Sequence, residues 1–234
     1  MPVNYELDGH VAIITMDDGK ANAINLDVLG GLHGALDRAG ADPEVRAVLI
    51  AGRPGRFSAG FDLSVMTSSQ ESMRELVMAG GRFVARLLLE PLPVVAACTG
   101  HALAAGGLLL LACDQRLGAA GDWKIGLNEV AIGMALPRWA VELGRYRIAP
   151  AEREWRMVLG QVGSPDESVK AGFLDRVVPA EQLLEEARSV ASKLAELRSG
   201  AVAGTKVRLR KALVDRMLDD MEGDLAAIDA PTPG

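Results

Sequence analysis

Glu129 is the residue of this chain best suited to carry a proton. It lies in "KIGLNEV", residues 124–130, and the stretch that follows it is also apolar, a setting a solvated surface glutamate does not usually occupy. Desolvation disfavours the ionised form of a carboxyl and moves its pKa toward neutrality, where it can both take and return a proton. Three stretches rich in glycine and small residues follow segments that read as strands: "GRPGRFSAGFDL" (52–63), "TGHALAAGG" (99–107) and "IGLNE" (125–129). Glycine after a strand lets the backbone turn sharply and approach a ligand, and it serves equally in a plain tight turn. The second stretch opens an apolar helix whose first N–H groups have no intrahelical acceptor and sit at the positive end of the helix dipole. Together with an amide of "SAGFD", such an end would form an oxyanion hole for a carbonyl turning into an enolate.

Other reactive side chains fit that chemistry less well. His101 stands in the turn before the apolar helix and reads as a packing and hydrogen-bonding residue, and His10 and His33 read as surface residues. Asp114 reads as ordering backbone, while Arg138 and Trp139 either line a tunnel or pack. His, Cys, Asp and Glu show no metal-ligand spacing, and no Ser/His/Asp order suggests a hydrolytic triad. Cys98 and Cys113 lie in apolar surroundings and read as reduced core thiols.

These groups must be positioned by alternating strands and helices. "HVAIITM" (10–16) and "VRAVLIAG" (45–52) have strand composition, with a helix between them that carries Leu26, Leu29, Leu32 and Leu36 at helical spacing and has Gly40 as its expected C-cap. The next unit reads as a helix over 69–90, a buried strand "PVVAACTG", a turn, the helix "LAAGGLLLLAC" and the short strand "DQRLGAA". "SPDE" (164–167) has the form of a capping box, and "GFLDRVVP" reads as a late strand. Two amphipathic helices are expected at the C-terminus, followed by a frayed "DAPTPG". The pattern indicates an α/β domain with a helical C-terminal part.

Composition narrows the function classes. The chain has 234 residues, 49% of them apolar, enough for one large core, and a formal net charge of −6 gives it no basic footprint for nucleic acid. No secretory signal is evident at the N-terminus, so a cytoplasmic location is expected. Residues 91–113 carry no formal charge for longer than the ~20 residues of a membrane helix. Prolines 91 and 93 and the "TGH" and "GG" breaks instead read as strand, turn and buried helix, with no membrane insertion.

Taken together, "FSAGFDL", "PVVAACTGHALAAGGLLLLACDQRLGA", "WKIGLNEVAIGMALP" and "AGFLDRVVP" resemble the crotonase, or enoyl-CoA hydratase/isomerase, superfamily over roughly residues 3–195. The resemblance implies a crotonase-like spiral of ββα units over 1–195 and a C-terminal helical segment over 196–234 that takes part in trimerisation. It also implies a homotrimer or hexamer, an acyl-CoA thioester as substrate, and no separate cofactor. By position, the oxyanion amides are those of Phe61 and Ala105. Ala105 stands where the family usually has glycine, and its methyl adds bulk beside the thioester. Ser58, Ala59, Gly60, Asp62, Leu63 and Gly106, around those amides, are implied to contact the acyl-CoA substrate, with Asp62 in a structural role. Lys20, Ala21 and Ala23 of "GKANAI" match the loop that meets coenzyme A.

Family hydratases use two glutamates. The first falls on Leu108 here and the second on Glu129. Leucine cannot handle protons, whereas moving a double bond from the 3,4 to the 2,3 position needs only one base. The Δ3,Δ2-enoyl-CoA isomerases share this arrangement of an apolar residue and "GLNE", so the resemblance implies isomerisation with Glu129 as acid and base. An enoyl-CoA hydratase, another crotonase reaction, and a CoA-thioester binder with little catalysis remain the alternatives.

Overall fold

The computed structural model describes residues 2–231. An edge strand β1 (Val3–Asp8) runs antiparallel to β2 (Val11–Met16), and a two-residue strand β3 (Ala23–Ile24) leads into α1 (Leu26–Ala41). Three turns of a spiral follow, each adding one strand to a large sheet and one to a small sheet. The first contains β4 (Ala47–Gly52), β5 (Gly55–Ser58), the short β6 (Gly60–Phe61), α2 (Leu63–Met66) and α3 (Gln70–Leu88). The second contains β7 (Val94–Cys98), β8 (Gly100–Leu103) and α4 (Ala105–Ala112). In the third, β9 (Gln115–Ala119) and β10 (Ile125–Gly126) precede α5 (Arg138–Arg147) and α6 (Pro165–Ala171). The large sheet has the order β1-β2-β4-β7-β9-β11, closed by β11 (Arg176–Val178), and the small sheet is β10-β8-β5. This is the expected ββα spiral.

Strands buried on both faces explain the near-continuous apolar runs of β4 and β7. Ile14, Val48, Ile50 and Ala96 enter the main core with α1, α3 and α4. The alternate residues Ile13, Leu49, Val95 and Leu117 meet α7 (Leu183–Ala195) on the other face of the sheet. All of α4 is buried, so it shows no amphipathic period. The uncharged run from 91 to 113 becomes β7, β8 and α4, and among the described residues no helix is long and apolar enough to cross a membrane.

Four local expectations need correction. Gly40 lies inside α1, and the helix ends at Asp42, whose N–H donates to the Ala39 carbonyl. The "TGH" turn contributes to a true strand, β8, held between β5 and β10. The C-terminus has three helices: α7, α8 (Ser199–Leu218) and the short α9 (Met221–Ala226). The start of the expected frayed tail is tied to α3, since Ala230 N–H donates to Gln70 Oε1 and Ile228 O accepts from Gln70 Nε2; residues 232–234 of that tail lie outside the described residues. The SPDE capping box forms with both of its hydrogen bonds.

The described C-terminal helices fold back on their own chain, α8 against α3 and α5 and α9 against α3. A buried ionic cluster fastens α8. Lys206 Nζ donates to the carbonyls of Glu90 and Leu92 at 2.9 and 2.7 Å, and Arg210 donates to Asp114 Oδ1 at 2.7 Å. Burial lowers the Lys206 pKa, against the pull of Asp114. Asp114 also accepts from Val94 N–H at 2.7 Å, so it orders backbone as expected. Cys98 and Cys113 are buried free thiols pushed up to about 12 by desolvation.

Candidate active site

Glu129 is delivered by a strand and fixed by a tight turn. Ile125 and Gly126 pair with β8, and Ile125 exchanges both backbone hydrogen bonds with Gly163 at 2.9 Å. Gly126 has φ +151 and packs on Val162, where a Cβ would stand 3.1 Å from Val162 Cα. After buried Leu127, Glu129 opens a single 3₁₀ turn, and its carbonyl accepts from Ile132 and Met134 N–H at 3.1 and 3.0 Å. The backbone is therefore pinned while one oxygen of the side-chain carboxyl, Oε2, is left without a partner.

That side chain is 7% exposed, and its Oε2 has no hydrogen-bond partner. Desolvation pushes its pKa up to about 7, opposed by a hydrogen bond from its own N–H. The residue lines a cavity of about 80 Å³ together with Leu108, Asn128, Ala104 and Phe61; Leu63, Met66, Met134 and Trp139 add apolar wall. Leu108 is 1% exposed. Asn128 is a polar residue that sequence reasoning passed over: it lines the same cavity, and its Oδ1 is buried without a partner. Its place directly before Glu129 in "LNE" was the available signal.

The amides of Phe61 and Ala105 lie on adjoining segments. Asp62 N–H donates to Ile24 O at 2.9 Å, so the alternation of extended backbone turns Phe61 N–H away from β3. Gly60, at φ +96, presses against the start of α4: a Cβ there would stand 2.9 Å from Leu103 O and 3.3 Å from Ala105 N. Ala105 N–H, the first of its helix, has no intrahelical acceptor. Ala104, one residue before the expected position, is the alanine that faces the cavity. Ala105 packs in the core at 5% exposure, while Ala104 lines the Glu129 cavity and takes φ +48, ψ −121. An L-residue is strained there, in a conformation that glycine adopts freely.

The surrounding residues divide into cavity lining and scaffold. Ala59 and Leu63 line the cavity, with Leu63 57% exposed. Ser58 is buried, its hydroxyl donating to Asn22 O at 2.7 Å and accepting from Gly60 N–H at 3.1 Å. Gly106 lets α4 approach β5, since a Cβ would stand 2.6 Å from Ser58 O. Asp62 caps α2 by accepting from Ser64 N–H. Lys20, Ala21 and Ala23 do not line the cavity. Ala21 O accepts from Ala59 N–H at 3.1 Å, Ala23 pairs with Gly60, and exposed Lys20 gives its carbonyl to Arg53 at 2.6 Å. Their loop thus abuts the strand of Phe61 from outside.

His101 accepts from Lys124 N–H at 2.9 Å and meets the Trp123 ring edge-on, consistent with packing and hydrogen bonding. His10 is exposed, but His33 is half-buried between Phe83 and Arg86 rather than on the surface. Trp139 lines the cavity, whereas Arg138 binds Asp224 through its backbone N–H.

A profile of the family described as Enoyl-CoA hydratase/isomerase matches residues 6–231. The mitochondrial enoyl-CoA delta isomerase 1 of Rattus norvegicus is 31% identical over 226 residues, which cover 95% of this chain and 78% of that protein. A putative enoyl-CoA hydratase of Thermus thermophilus is 32% identical over 212 residues, covering 88% and 81%. Among solved structures, an enoyl-CoA hydratase/isomerase family protein from Pseudomonas syringae superimposes with a TM-score of 0.93 at 40% identity, covering 97% of each chain. Human mitochondrial delta3-delta2-enoyl-CoA isomerase gives 0.90 at 31% identity, covering 97% of this chain and 90% of that one. Relatives named isomerase and hydratase are about equally similar, so the residues of the cavity must discriminate between the two reactions.

Proposed function

Because this chain belongs to the enoyl-CoA hydratase/isomerase family, whose members act on acyl-CoA thioesters, we propose that it converts a 3-enoyl-CoA to the 2-trans-enoyl-CoA with Glu129 as its one acid–base group. The observation that carries this reading is the pairing of a desolvated carboxyl with a leucine in one apolar cavity. In this mechanism the thioester oxygen accepts from the N–H groups of Phe61 and Ala105, which stabilise negative charge on that oxygen. The Glu129 carboxylate removes a proton from C2, and the electron pair delocalises over the thioester oxygen, C2 and C4 as a dienolate. The neutral Glu129 carboxyl then protonates C4, the double bond settles between C2 and C3, and the carboxylate is regenerated. Leu108 can neither orient nor deprotonate a water, and the apolar walls disfavour one.

Hydration is the second reading, and Asn128 is the observation that favours it. Its amide, without a partner at Oδ1, could orient a water but could not take a proton from it at neutral pH. Purified protein mixed separately with 3-hexenoyl-CoA and crotonyl-CoA distinguishes the two. Conjugation of the first without appreciable hydration of the second is the expected result. Robust hydration of crotonyl-CoA would overturn the isomerase reading, and binding of thioesters with turnover of neither would favour a binding protein.

A further inference from the structure

The acyl cavity adjoins a second, smaller one, and the partition between them is aromatic. A void of about 10 Å³ lies beside the Glu129 cavity, lined by Ile24, Leu32, Phe83 and Leu109 among others. Phe61 and Trp139 line both spaces. Tandem glycines in α3 make room for their rings. A Cβ on Gly80 would overlap the Phe61 ring, and one on Gly81 would stand 3.0 Å from Trp139 Nε1 and 2.6 Å from Met221 Cε. Two glycines inside a long helix carry a conformational cost of about 1 kcal/mol each relative to alanine, and here that cost seats two aromatic rings. Trp139 is 1% exposed and packed in the main core, so its ring is not free to swing aside into solvent.

We propose that Phe61 and Trp139, seated on Gly80 and Gly81, form the closed end of the acyl cavity and restrict the enzyme to short-chain acyl-CoA thioesters. This inference rests on the reading of the Glu129 cavity as an acyl site. The available space agrees with it: a cavity of about 80 Å³ is roughly half the ~150 Å³ that admits a benzene molecule. Once C2 to C4 lie beside Glu129, only a few further methylenes fit. Beyond them the chain meets the rings of half-buried Phe61 and buried Trp139.

The test is binding of saturated hexanoyl-, octanoyl- and dodecanoyl-CoA to the full chain by titration calorimetry, which reads chain length without requiring turnover. Hexanoyl-CoA should bind at least about tenfold more tightly than dodecanoyl-CoA, the scale of a few misfitting methylenes in an apolar pocket. In Trp139→Leu, and independently in Phe61→Ala should the first variant not fold, the dodecanoyl-CoA deficit should fall to within about threefold. Equal affinity across the series in the unaltered protein would overturn the proposal, as would an unchanged preference in a folded variant. Failure of the isomerase reading has a different signature, since 3-enoyl-CoA would then go unconverted at every chain length while the binding preference remained.

Discussion

Glu129 and Leu108 line the same cavity, one carrying an unpartnered carboxyl oxygen and the other an isobutyl group at 1% exposure. Glu129 comes from the turn after β10 and Leu108 from the first turn and a half of α4, so separate elements of the spiral meet at the site. Among the described residues that line the cavity, Glu129 is the one acid, which is the arrangement that the proposed one-base reaction needs.

Replacing Glu129 by glutamine keeps the shape of the side chain and removes its basicity. Glu129→Gln should lower kcat for a 3-enoyl-CoA by about 10²–10⁴-fold, the usual worth of a positioned general base. Binding of a saturated acyl-CoA, measured by titration, should stay within a few-fold of the unaltered protein. Unchanged turnover would place the base elsewhere.

The raised pKa of Glu129 has two consequences with opposite pH directions. Proton abstraction needs the carboxylate, so kcat/KM should fall below pH 7 and level off above it, with a midpoint near the value of about 7. Folding instead favours the neutral carboxyl. A buried acid with a raised pKa contributes stability below its unfolded pKa, and that contribution is lost as pH rises through the folded pKa. Glu129→Gln should therefore be more stable than the unaltered protein at pH 8, by up to about 3 kcal/mol, with a much smaller difference at pH 5. Thermal denaturation of both proteins at the two pH values measures this directly.

A carboxyl at residue 108 would share the dry cavity with Glu129. Two acids in one low-dielectric site cannot both ionise easily, so Leu108→Glu should move the midpoint of the kcat/KM profile for isomerisation to a pH above 7. Leu108→Met, of similar volume, should leave the midpoint in place. A midpoint that does not respond to the added acid would mean that residue 108 and Glu129 are not electrostatically coupled.

Ala104 stores strain at the turn into α4. Relief of that strain in Ala104→Gly is worth about 1–3 kcal/mol, against about 0.5–1 kcal/mol for the extra freedom of glycine in the unfolded chain. The strain term wins, and the variant should melt a few degrees higher. A lower melting temperature would show that the alanine methyl contributes packing that outweighs its backbone.

Asp114 faces two buried cations, Lys206 and Arg210. Asp114→Ala leaves both without their carboxylate and should cost about 3–5 kcal/mol in denaturant unfolding. Removing Asp215 from its exposed pair with Lys211 should cost only about 0.5 kcal/mol. Similar losses in the two variants would mean that the Asp114 cluster is solvated in solution.

Elements with strong local signals were legible in the sequence. Near-continuous apolar runs, rich in β-branched residues in β2, marked β2, β4 and β7, and the Ser164 capping box marked α6. Strand β8 was not legible, because "GHAL" has little strand propensity and owes its conformation to hydrogen bonds with β5 and β10. Its apolar surroundings singled out Glu129, and the family resemblance placed Leu108. The strain at Ala104 arises from the geometry with which β8 enters α4, which composition does not encode. Asn128 was hidden because one polar residue beside a glutamate looks like an ordinary loop, and only the shared cavity gives it significance.

One-base transfer is tested most directly by following the proton itself. A 3-hexenoyl-CoA carrying deuterium at both C2 positions, converted in ordinary water during a single turnover, should give product with deuterium at C4. The carboxyl that receives the label is buried among apolar walls and returns it before full exchange. Conversion with no deuterium at C4 would contradict the shuttle, because the proton delivered there would then have come from solvent and not from Glu129.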